Sequence, residues 1–134
     1  MMNLRIVLWA KITITVGLLS FPMLTFPANF IETLGFPVSE SIIFIRLLGM
    51  AYTALAVCYV FGVLKIKEQY PEDVVWVGIV SNGGASLMLL IAALLGSWSE
   101  WNTFAKVYMW ASLVCITLIT LGLIVTGPLR KSSQ

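Results

Sequence analysis

The sequence contains no histidine, two cysteines and only 10% charged residues among 134. The missing histidine removes the commonest general base and a common zinc and haem ligand. Cys58 and Cys115 lie inside apolar runs and not in a spaced pair, so neither a disulfide framework nor a thiolate metal site is signalled. They read as small packing residues. The scarcity of charge reverses the proportions that a water-exposed surface of this size needs. Eight basic and six acidic residues give a net charge of +2 and are scattered in ones and twos. No basic patch exists for nucleic acid to bind.

What the chain does have is apolar sequence: 60% of its residues are hydrophobic. Four continuous runs, at about 5–26, 41–64, 74–96 and 103–127, each approach the roughly 20 residues that a helix needs to cross a bilayer. Continuous runs exclude alternating strands, and a spanning sheet would have to close into a barrel of many more strands. The expectation is an all-α integral membrane four-helix bundle, a single transmembrane domain over 1–134. Arg5 before an apolar stretch outlines a signal peptide, but Phe26-Pro27-Ala28 puts a bulky residue where cleavage wants a small one. That segment reads as the first membrane helix.

Between the first two runs, Pro27 is placed for a first helical turn, Gly35 for a helix end, and Phe30, Ile31 and Leu34 for one apolar face. A short interfacial helix is expected there. The 65–73 connection is polar and the 97–102 connection is an aromatic turn. Arg5, Lys11, Lys65, Lys67, Arg130 and Lys131 fall on the side of both termini, and only Arg46 and Lys106 fall opposite. The positive-inside rule then puts both termini in the cytoplasm, in a cytoplasmic (inner) membrane.

Ionisable residues inside membrane helices are costly and draw attention first. Arg46 lies roughly 7 Å inside the second helix, and Glu32, Glu40 and Glu100 are on the same side of the membrane as possible ion-pair partners. Pairing or snorkelling is one explanation and a ligand or lipid-headgroup contact the other. Lys11 has a similar depth from the opposite side, where Glu68, Glu72 and Asp73 offer partners. Glu72 and Asp73 also suit the helix N-terminus that follows Pro71. In the third helix, positions 78, 82, 85, 89, 92 and 96 form a stripe of mostly small residues, including Gly78 and Ala85, built for close helix contact. Asn82 on that stripe needs a hydrogen-bond partner, with Thr13, Thr15, Tyr52, Thr53 or a second copy's Asn82 as candidates. Ser81 and Ser86 flank it. Most Trp and Tyr residues fall near helix ends, as in an aromatic belt.

The four short-looped helices, with Ile45-Arg46-Leu47-Leu48-Gly49 opening the second and Gly78-Ile79-Val80-Ser81-Asn82-Gly83 within the third, resemble small bacterial membrane proteins of the DoxX-like kind. The resemblance implies a four-helix membrane bundle, sometimes associated with quinone-linked redox systems, and implies no catalytic residue. Small multidrug transporters, by contrast, carry a membrane-embedded glutamate in the first helix, where this chain has Lys11.

No cofactor is expected, and an enzyme acting alone is not. The function expected is that of an accessory or oligomer-forming helical subunit in the lipid bilayer, in a homo-oligomer or with another membrane protein. The alternative is an oligomeric transporter or channel for a small solute or lipid. The two differ in whether Ser81, Asn82, Ser86 and Arg46 meet other helices in a dry interface or line a wet cavity.

Overall fold

The computed structural model describes residues 4–38, 41–66 and 70–127. Four helical spans are long and apolar enough to cross a membrane: Leu4–Thr25, Ile43–Lys65, Glu72–Leu94 and Thr103–Thr126. By helix length and hydropathy the chain is a multi-pass membrane protein. The first span is built from α1 (Leu4–Ile14), a π-helical turn (Thr15–Ser20) and α2 (Phe21–Thr25). A short helix α3 (Ala28–Thr33) follows, where an interfacial helix is expected, and α4, α5 and α6 are the remaining spans. An even number of antiparallel spans brings Leu4 and Thr126 to one end of the bundle, with α3 at the other. The basic residues Lys67, Arg130 and Lys131, counted for orientation, lie outside the described residues.

Local chemistry sets the element ends. Phe26 is extended (φ −71°, ψ 132°), the conformation that a following proline imposes. The next helix begins after Pro27 and ends at Gly35, whose φ of 90° suits only glycine. A side chain there would also collide with Asn102, whose carboxamide atoms lie 2.1–2.3 Å from where a Cβ would stand. Asn102 caps α6 by accepting from the Ala105 amide at 2.8 Å, so one residue starts the fourth span and seats the α3 loop. Helix α5 opens on Glu72 and Asp73 after Pro71 and closes at Gly96 (φ 68°). There Gly96 N–H reaches the Ala93 carbonyl and Ser97 N–H the Ala92 carbonyl, the paired closure of a Schellman motif. The third span therefore runs two residues earlier than 74–96, and Gly96 leaves the small-residue stripe to act as its stop.

Around the bundle the first span packs on α4 and α6, and α5 packs most extensively on α6 and less on α4. The first and third spans face each other across the diagonal. Buried apolar side chains collect toward the terminal end, where Leu4, Val7, Leu8 and Ile12 meet Tyr59, Val63, Val75 and Leu123. At the α3 end, aromatic edges meet: Phe36 against Trp101, Phe104 and Tyr108, and Trp98 against Trp101 and Trp110.

Candidate functional site

Seven residues into α1, about 10 Å from its start, Lys11 turns into the bundle and is 4% exposed. Its ammonium donates to Asn82 Oδ1 at 2.5 Å and stands 4.5 Å from the centre of the Tyr59 ring. Asn82, 7% exposed, donates in turn to the Gly78 carbonyl at 2.8 Å. The Tyr59 hydroxyl is 3.0 Å from Ser81 Oγ, and Ser81 donates to the Gly78 carbonyl at 3.3 Å. The result is one connected polar centre on three spans, walled by Leu8, Leu123 and Val75. Because the first and third spans are diagonal neighbours, the Lys11–Asn82 bond runs through the middle of the bundle. The centre holds a cation with an amide acceptor and an aromatic face, a combination that stabilises an ammonium without a carboxylate.

Sequence reasoning singled out Lys11, Asn82, Ser81 and Gly78, and the structure brings these four together. It pairs them differently from expectation. Lys11 meets an amide and a phenol ring instead of a carboxylate of the 65–73 connection, of which Glu68 lies outside the described residues. Asn82 meets Lys11 instead of Thr13, Thr15, Tyr52 or Thr53. The reason is reach: a lysine side chain is long enough to cross the diagonal, and the threonines of the first span are short. A Cβ at Gly78 would come within 2.7 Å of Leu123 Cδ1, so the buried end of that leucine would have to move. The small-residue stripe faces the bundle interior, with Gly78 and Asn82 buried and Ala85, Leu89 and Ala92 half-buried. Gly84, off the stripe, has open space around it.

Arg46 forms a separate site at the α3 end. It is half-buried, and its guanidinium donates to the Met23 carbonyl at 2.6 Å and the Phe26 carbonyl at 2.7 Å. Among the described residues its hydrogen bonds go to backbone and not to Glu32 or Glu100, which are exposed. Glu40 lies outside them. The physical cause is in the sequence. Pro27 has no N–H to give the carbonyl four residues back, so Met23 O is left without its ladder donor, and Arg46 supplies one. Pro22 does the same to Leu18 O, which receives the Tyr108 hydroxyl at 2.6 Å. The two prolines were the available signal for Tyr108 and for the true partner of Arg46. Between these bonds, Ser20 Oγ and Thr53 Oγ1 are 2.6 Å apart. Away from both sites, Ser86 pairs with Thr117 at 3.1 Å beside an open apolar groove of about 530 Å³ between α5 and α6. Among the described residues no three His, Cys, Asp or Glu side chains gather as a metal site would require.

No protein-family model, curated protein or solved structure matches the chain. The four long apolar helices agree with a small four-span membrane protein, and no family is identified.

Proposed function

We propose that this chain is a non-catalytic helical subunit of a membrane assembly, accessory to another membrane protein or associating with its own copies. One observation carries the reading: Lys11, Arg46, Ser81, Asn82 and Ser86 each bond to another group of the same chain. Polar groups at bilayer depth that satisfy one another inside the fold hold helices together, since lipid offers no hydrophobic drive for helix association. The surface left to the surroundings is apolar side chains such as Val80, Leu87, Met88 and Leu94 on α5.

The test is the size of the particle extracted from native membranes in mild detergent or a lipid nanodisc, measured beside solute flux in proteoliposomes. A defined complex larger than one chain, with no flux of chloride or phosphate, supports the subunit reading. A monomer, or saturable anion flux that disappears in Lys11→Met, overturns it. The flux arm addresses a second reading, a small-solute transporter. That reading draws support from an ammonium deep in the membrane on a span interrupted by a π turn.

A further inference from the structure

The first span is two different objects joined at Thr15–Ser20. Below the joint, α1 contributes Leu4, Val7, Leu8, Lys11 and Ile12 to the buried interior. Above it, neither α2 nor α3 has a buried residue. Beyond apolar contact with α4 around Gly49 and the aromatic packing of Phe36 after α3, polar bonds hold it: Arg46 to the Met23 and Phe26 carbonyls, with Tyr108 to Leu18 O and Ser20 to Thr53 at the joint. It rests on α4 at Gly49, where a Cβ would stand 3.0 Å from Met23 Cβ and Leu24 Cγ.

The joint has the parts of a hinge. Phe21 N–H reaches back five residues to Val16 O, which marks the π turn. Pro22 removes the next ladder bond, and Gly17 has no atom within 4 Å of where a Cβ would be. The extra residue in the π turn also changes what faces inward. Lys11, Thr15 and Ser20, spaced by four and then five, lie on one buried line, with Ser20 3% exposed and Leu18 turned out at 52%. An uninterrupted α-helix would put position 18 or 19 there, both leucine. The seam beneath the upper part is therefore hydroxyl-lined and leads down to Lys11.

We propose that α2 and α3 form a hinged cover that pivots at Thr15–Ser20 and, when it lifts, opens the line Ser20–Thr15–Lys11 to water from the α3 end. Gly49 is its seat, Arg46 is its latch, and Tyr108 clamps the pivot itself at Leu18 O. With the cover down Ser20 is held by Thr53, and with it lifted Ser20 and Thr15 present hydroxyls that water can solvate.

The experiment is the rate at which a membrane-impermeant thiol reagent modifies Thr15→Cys in vesicles, in a background of Cys58→Ala and Cys115→Ala. Asn29→Cys, exposed on α3, identifies the side of addition, and Leu8→Cys, in the buried core, reports general loosening. Thr15→Cys should react slowly and only from the side that reaches Asn29→Cys. Tyr108→Phe should raise that rate about tenfold, the change in an opening equilibrium that loss of one hydrogen bond produces. Gly49→Leu should raise it further, and Pro22→Ala, which returns an N–H to Leu18 O, should lower it. Leu8→Cys should stay unreactive throughout. Equal Thr15→Cys rates in the parent and Tyr108→Phe, or a Leu8→Cys rate that rises in step, would overturn the proposal even if Gly49→Leu fails to fold.

Discussion

The two ends of this bundle are held by different means. At the terminal end, α1 is an unbroken helix whose apolar face meets Tyr59, Val63, Val75 and Leu123, and its one charged inward residue is satisfied by Asn82. At the α3 end the same span is interrupted by Pro22 and closed by Pro27, and side chains from α4 and α6 supply the donors its backbone lacks. An intact ladder lets a helix present packing surface, while a broken one exposes carbonyls that must be answered by someone else's N–H or O–H. In lipid the second solution fixes position by direction more than by contact area.

Substitutions at four positions, with Gly84 as a control, separate the two ends in order of cost. Asn82→Leu leaves the Lys11 ammonium with only a ring face, and should cost about 2.5–3.5 kcal/mol, the scale for an uncompensated lysine at mid-helix. Thermal unfolding in detergent measures it, and the terminal half should lose protection from hydrogen exchange first. Arg46→Leu withdraws charge-assisted hydrogen bonds and should cost about 1.5–3 kcal/mol. Here exchange protection should fall around Met23 and Phe26 while Val7 and Leu8 keep theirs. Loss of protection at both ends together would erase the distinction. Gly78→Leu must push Leu123 aside and should destabilise by about 1–3 kcal/mol. The same change at Gly84, which has open space around it, should leave the melting temperature nearly unmoved. Tyr108→Phe, lacking one hydroxyl, should cost about 0.5–1.5 kcal/mol, with its effect confined to the Thr15–Thr25 segment.

How far these features could be read in advance differs between the ends for the same reason. The spans and the α3 helix were legible because run length, Pro27 and Gly35 are local signals. Gly78, Ser81, Asn82 and Lys11 stood out because polar and small residues are costly or unusual at that depth. Their pairing was not legible, because the spans adjacent in sequence are also adjacent in the bundle, and nothing local tells that the first and third lie across a diagonal that a lysine can bridge. Arg46 shows the opposite failure. Its charge points to the carboxylates Glu32, Glu40 and Glu100, whereas the two prolines four residues beyond Leu18 and Met23 create the acceptors. Counting the N–H groups a helix lacks would have pointed to carbonyls as the sink for Arg46 and Tyr108.

Whether a bond between Lys11 and Asn82 ties the terminal half across the bundle is decided by a double-mutant cycle of Lys11→Met and Asn82→Leu, read as unfolding free energy in one detergent. The single change at Asn82 should be costly, the change at Lys11 milder because it removes the charge, and the double variant should recover stability relative to Asn82→Leu. The two positions should couple by about 1 kcal/mol or more. Effects that add to within about 0.3–0.5 kcal/mol, as they do for residues that share no contact, would contradict it.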